Sequence, residues 1–387
     1  MSTGGIATGG LSEVNRRYAD RTRRAKELQE AGAQIFGYYC CYPPLEMLTA
    51  LDIVPYRIGG DVREPITEAD AVLETITCPF IRSSFDLALK GRYNFLDGLI
   101  VPHSCDTVQR IYEPWKEYNK PGFTFFVNVP HMLHPASFVF FKRELQRLRK
   151  ALEEHAGRPI SDERLREAIT LHNQARSLLR ELYDLRRSSP PLIAGSEVTE
   201  VLMVGHSTPV AEFIGLLTSV VEEVKRRPQK PVADGPRIML WGSEMDDVAF
   251  VKLVEECGAS VVVDDMCTGT RIFWHDVPQT PDPLDGLVTR YLDKIPCPRT
   301  YRQRSGTRRE DLESRFSHLR DFIQQFGVDG LIFFLIRYCD THELEAPDVR
   351  EYLEAMGIPT LFLVDDYSVN TIGQLRTRVQ AFVEMII

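Results

Sequence analysis

The chain has 387 residues, 43% of them hydrophobic and 26% charged, the composition of a globular protein with more than one core. A net charge of −9 argues against nucleic acid as a partner of the whole surface. The longest apolar run, 331–336, is too short to span a membrane, and residues 1–10 lack the basic start and apolar middle of a secretion signal. A cytoplasmic protein is expected, with eight cysteines that are free, buried, metal-bound or catalytic rather than paired as disulfides.

In chain order, 11–32 reads as a charged peripheral helix and 35–39 as a first strand ending at Cys40-Cys41. A short helix over 45–51 follows Pro43-Pro44, prolines being at home at a helix start. Strands are predicted over 54–58, 96–102 and 123–129, and helices over 80–90, opened by Cys78-Pro79, and 107–118. From 136 to 187 the pattern is helical and heavily charged, with Ser161 placed to cap a helix. Ser188-Ser189-Pro190-Pro191 breaks it, a further helix is predicted over 211–227, and the Pro-rich stretch 227–236 reads as a linker. Strands then recur over 237–241, 260–264, 331–336 and 360–364, alternating with helices over 247–257, 309–326, 346–356 and 372–387. This alternation predicts an α/β protein: two similar doubly wound parallel-sheet lobes with a helical central segment. The expected division is 1–34, an N-terminal helical segment; 35–135, the first lobe; 136–230, the helical segment and linker; and 231–387, the second lobe.

Two distant stretches echo each other. Asp97-Gly98-Leu99-Ile100 runs on to Cys105-Asp106-Thr107, and Asp329-Gly330-Leu331-Ile332 runs on to Cys339-Asp340-Thr341. Ligands of parallel sheets gather beyond the carboxyl ends of the strands, where both cysteines are predicted to lie. The echo points to an internal duplication.

The chain contains no P-loop, no G-x-G-x-x-G after a strand and no C-x-x-C pair. Nucleotide hydrolysis by P-loop chemistry, dinucleotide binding and zinc-ribbon or thioredoxin chemistry are thereby disfavoured. There remain cysteines at predicted strand or helix ends: Cys40, Cys78, Cys105, Cys267, Cys297 and Cys339. Thiolates suit an iron–sulfur cluster, and a helix starting after Cys78 favours its thiolate. A single free cysteine is more often a small buried hydrophobe; the repeated context raises the ligand reading for Cys105 and Cys339. The cluster Arg299, Arg302, Arg304, Arg308 and Arg309 suits a phosphorylated ligand or, more commonly, a solvated loop. His103 reads as a loop histidine within reach of a cluster or substrate.

The stretches Tyr39-Cys40-Cys41-Tyr42-Pro43-Pro44-Leu45-Glu46, Thr77-Cys78-Pro79-Phe80-Ile81-Arg82-Ser83, His103-Ser104-Cys105-Asp106 and Arg337-Tyr338-Cys339-Asp340, with the tail from Gly373 to Phe382, resemble the 2-hydroxyacyl-CoA dehydratase and benzoyl-CoA reductase family. The motifs are most similar to benzoyl-CoA reductase subunits. The resemblance implies a [4Fe–4S] cluster on Cys78, Cys105 and Cys339. It also implies a homologous second subunit, a separate ATP-hydrolysing iron–sulfur activator, and single low-potential electrons passed to an acyl-CoA thioester. Double-cubane cluster proteins share the fold, work as homodimers and use six cysteines for a double-cubane [8Fe–9S] cluster; Cys40, Cys78, Cys105, Cys267, Cys297 and Cys339 resemble all six. The surrounding motifs favour the smaller cluster. A reading from another class is a metal-free module whose lobes close on an anionic ligand.

Overall fold

A computed structural model describes residues 9–227, 234–302 and 306–386. Most of the expected linker and Arg304 lie outside these residues. The N-terminal stretch forms two helices, α1 (Gly10–Ala19) and α2 (Arg23–Glu30), where the sequence predicts one. Asp20 divides them: its carboxylate accepts from the Thr22 and Arg23 backbone N–H groups at 3.2 Å each and so competes with continued helix.

The first lobe carries β1 (Ile35–Tyr38), α3 (Leu45–Ala50), β2 (Val54–Arg57), α4 (Pro79–Leu89), β3 (Gly98–Pro102), α5 (Asp106–Arg110), α6 (Tyr112–Asn119) and β4 (Phe123–Val127). The break between α5 and α6 falls where Pro114 has no N–H to give the Arg110 carbonyl. The central region is α7 (Pro135–Ala156), α8 (Asp162–Asp184), α9 (Gly195–Gly205) and α10 (Val210–Lys225). Ser161 caps α8 by accepting from Arg164 N–H at 3.2 Å. The second lobe carries β5 (Arg237–Gly242), α11 (Ala249–Glu256), β6 (Ser260–Asp265), α12 (Thr270–Phe273), α13 (Pro283–Val288), α14 (Arg308–Phe326), β7 (Gly330–Ile336), α15 (Asp340–Glu354), β8 (Thr360–Asp365) and α16 (Ile372–Ile386).

Both sheets are wholly parallel and share one strand order, β2-β1-β3-β4 and β6-β5-β7-β8. The two doubly wound parallel lobes read from the sequence are therefore present, and the identical order matches the echoed segments. Alternate strand residues feed opposite cores. Phe36, Tyr38 and Ile100 pack on one face of the first sheet, and Ile35, Leu99 and Val101 on the other. Met239, Trp241 and Phe333 pack on one face of the second, and Ile238, Leu240 and Ile332 on the other. Burial on both faces explains why these strands read as continuous apolar runs. In this order the winding reverses between β1 and β3, and again between β5 and β7, which puts a crevice at the carboxyl ends of those strands in each lobe.

The sequence predicts the helix after Cys339 to begin at residue 346; α15 instead begins at Asp340, with Cys339 as its N-cap residue, and it accommodates Pro347 inside. α9 is absent from the sequence reading. Of its eleven residues, eight are buried, so no polar stripe marks its period.

Candidate functional site

The crevices meet where the lobes touch. Arg57, at the end of β2, donates from Nη1 to the Cys40 carbonyl at 3.0 Å and from Nη2 to Glu244 at 2.6 and 2.9 Å, tying the first lobe to the loop after β5. Asp246 accepts from Gly60 N–H at 2.9 Å and from Tyr367 OH at 2.6 Å. Beside this seam is a cleft of about 400 Å³ lined by residues that include Arg21, Arg57, Tyr93, Glu244, Asp246 and Tyr367.

All eight cysteines are free. Cys78, Cys105 and Cys339 are the N-cap residues of α4, α5 and α15. Cys105 and Cys339 hold equivalent places, three residues past the ends of β3 and β7. The three act on one another electrostatically. Burial, with the neighbouring Cys105 adding to it, pushes the Cys78 thiol up to about 12. Burial also holds Cys339 well above the usual range, with Cys78 and Cys105 adding to the shift. Cys105 is pushed up to about 11 by burial, offset in part by the Thr107 hydroxyl 3.4 Å away.

A second set stands next to the first. Cys40 follows β1, Cys267 follows β6, and Cys297 sits in a tight turn between Pro296 and Pro298. Cys267 and Cys297 are buried and Cys40 half-buried. Burial raises the Cys267 and Cys297 thiols, and each also feels Cys40. Cys40 and Cys297 in turn act on Cys105, which joins the two sets. Cys41 lies with its Sγ 3.9 Å from that of Cys40; their shared hydrogen bond lowers Cys40, helped by Arg57, and raises Cys41. Cys257 stands apart, half-buried at the end of α11.

Backbone conformation at the site is unusual. Cys40 (φ 62°) and Tyr338 (φ 63°) adopt the left-handed region, which costs a non-glycine residue about 1–2 kcal/mol. Both lie two residues past the ends of the central strands β1 and β7, where strain of this kind marks functional loops.

The donor chemistry fits an iron–sulfur group. The site offers thiols at helix N-termini, where the dipole favours thiolate. Ser104 and Ser243 present buried hydroxyls to the thiols, Ser104 to Cys40 and Ser243 to Cys339, each lowering the thiol it faces. Such donors suit sulfide or thiolate acceptors. Among the described residues no group of three or more His, Cys, Asp or Glu side chains can hold a single metal ion. A cluster takes its thiolates on different irons, so its ligand sulfurs need not crowd round one point.

Other candidates resolve differently. Arg299 is buried and donates to the Val129 and Pro130 carbonyls at 2.9 Å each. Arg302 bonds to the Asp293 carbonyl at 2.9 Å, and Arg308 pairs with Asp348 and Glu351. These arginines are committed to the protein and do not converge on a phosphate site. His103 bonds to Asn128 at 3.1 Å and lies 3.4 Å from His131. The sequence reading missed Arg57, Glu244, Arg271 and His342. Two of these had a local signal: Arg271 lies four residues after Cys267 and His342 three after Cys339, both helical spacings.

The geometry defines a class of protein, a two-lobed α/β protein with thiols near the carboxyl ends of both sheets. The chain belongs to the 2-hydroxyglutaryl-CoA dehydratase, D-component family, whose model matches residues 40–386. It is 29% identical over 371 residues, 93% of each chain, to YjiM of Escherichia coli strain K12, whose name describes it as a dehydratase subunit. It is 24% identical to the (R)-phenyllactyl-CoA dehydratase beta subunit of Clostridium sporogenes, covering 93% of this chain and 94% of that one. It is 27% identical to a benzoyl-CoA reductase subunit of Thauera aromatica, covering 91% of this chain and 90% of that one. The family resemblance read from the cysteine motifs is borne out, and these relatives are named as subunits of enzymes. No helix among the described residues is long and apolar enough to cross a membrane.

Proposed function

We propose that this chain is an iron–sulfur reductase subunit of its family and that all six thiols hold one double-cubane [8Fe–9S] group. Cys78, Cys105 and Cys339 would take one half, and Cys40, Cys267 and Cys297 the other. The observation that carries this reading is the second thiol set: Cys267 and Cys297 come from the second lobe, and Cys40 of the first acts electrostatically on both. When bound, the group supplies single electrons of low potential. The chain's own residues enclose it, exclude water and give up thiol protons as it loads, since ligating thiols must be deprotonated. Arg57 and Arg271 place positive charge beside the thiolates. The missing P-loop fits electrons arriving from a separate ATP-hydrolysing iron–sulfur activator. The double cubane goes with a homodimer and a small-molecule substrate.

A second reading keeps a single [4Fe–4S] cluster on Cys78, Cys105 and Cys339, in a heterodimer with a homologous subunit acting on an acyl-CoA thioester. The names of the relatives favour it, for a 2-hydroxyacyl-CoA dehydratase and a benzoyl-CoA reductase alike. Solution mass and turnover separate the two. The first reading expects a stable homodimer of the lone chain that, with an ATP-driven reductant, reduces small unsaturated compounds and leaves acyl-CoA thioesters untouched. A chain that is stable only with a second subunit, and that then dehydrates 2-hydroxyacyl-CoA or reduces benzoyl-CoA, supports the second reading against the first.

A further inference from the structure

A buried polar bridge links the two thiol sets. The carboxylate of Asp265, the last residue of β6, accepts from Arg271 Nε at 2.8 Å and Nη2 at 3.0 Å. This fixes the guanidinium. Its Nη1 then faces three acceptors: the Gly242 carbonyl at 2.8 Å, His342 Nε2 at 2.7 Å and Cys267 Sγ at 3.4 Å. His342 places Nδ1 3.2 Å from Cys339 Sγ and 3.3 Å from Thr341 Oγ1. Asp265, Arg271 and His342 are each no more than 2% exposed, and the Trp241 ring packs edge-on against His342 at 5.4 Å.

The hydrogen-bond directions follow from the donor inventory. A guanidinium has only protons to give, so His342 Nε2 must accept. The neutral ring then carries its proton on Nδ1, aimed at the Cys339 sulfur. Arg271 thus donates directly to Cys267 and, through His342, polarises a donor to Cys339. A buried ion pair of this sort is a poor way to gain stability, since well-packed apolar residues serve as well or better. What it does supply is two N–H donors ending on two sulfurs in a dry environment.

We infer that Arg271 and His342 are positioning residues that raise the reduction potential of the thiolate-bound group by donating to one sulfur from each set. The inference rests on the iron–sulfur reading above, with either cluster size. Reduction adds negative charge to the group, and N–H donors at its sulfurs stabilise that charge. Removing them makes the potential more negative.

The test uses the full chain loaded under anaerobic conditions, with iron content measured first and the midpoint potential then followed by electron paramagnetic resonance. His342→Leu is expected to keep its iron and to titrate at a more negative potential. His342→Asn, whose amide N–H can reach the Cys339 sulfur, should return most of the shift. Arg271→Lys keeps the charge but cannot span Asp265, His342 and Cys267 together, so it should shift in the same direction; it serves if His342→Leu does not fold. A folded, iron-loaded His342→Leu or Arg271→Lys protein with the wild-type potential overturns the inference. A wild-type chain that binds no iron overturns the iron–sulfur reading instead, before any variant is compared.

Discussion

Replacing Cys339 with alanine is expected to remove at least half of the iron bound by the reconstituted chain, and replacing Cys267 about half. The two substitutions probe different lobes and different thiol sets. Cys339 lies at the N-terminus of α15 with Cys78 and Cys105 acting on it. Cys267 lies beyond β6 with Cys40 and Cys297 acting on it. Neither change should unfold the apoprotein, because a free thiol packs as a small apolar group and alanine leaves little space behind. Cys257→Ala is the control: this cysteine is half-buried at the end of α11, and it should leave the iron content unchanged. The readout is iron per chain, with urea midpoints of the apoproteins showing that the fold is kept. Full iron in Cys267→Ala together with loss in Cys339→Ala would confine the group to the first set.

The second large effect is on stability. Glu46→Ala is expected to cost about 3–5 kcal/mol, the usual penalty for stranding one member of a buried ion pair. Glu46, on α3, is fully buried. Its carboxylate accepts from Arg176 on α8 at 2.6 Å and from the Tyr291 hydroxyl at 2.8 Å, so one side chain joins the first lobe, the central helices and the second lobe. Alanine would leave Arg176 charged and buried, with Asn173 at 2.8 Å as its remaining short contact. The same group gives the fold a pH dependence. Burial pushes the Glu46 carboxyl up, but Arg176, His172 and a backbone hydrogen bond together outweigh it and hold the carboxyl at about 2 against the usual 4.5. A depressed carboxyl contributes stability that is fully present above the unfolded value and lost as pH falls through the folded one. The wild type should therefore lose stability between about pH 4.5 and 2, and Glu46→Ala should show a flatter profile there. Denaturant midpoints measured across that range check both statements.

The inner strands were legible because each is a short apolar run buried on both faces, and the strand order repeats once in each lobe. The family was legible in the cysteine motifs. α9 was not, because burial on nearly all sides hides the helical period. Nor was the true start of α15, predicted at residue 346, whereas the helix starts at once from Cys339 and tolerates Pro347 inside. The pairing of thiols across lobes depends on how two sheets pack, which no local pattern encodes. Cys297 shows this best, since its neighbours Pro296 and Pro298 say only that the chain turns. Arg271 and His342 had the spacing of helix neighbours to Cys267 and Cys339, but their meeting at 2.7 Å is a product of the tertiary fold.

Six thiols from two lobes are proposed to hold one group. Iron and acid-labile sulfide counted on the anaerobically reconstituted wild-type chain test this most directly. About eight irons and about nine sulfides per chain are expected. A chain that binds no iron, or one that binds about four and keeps them all in Cys267→Ala, would contradict the proposal.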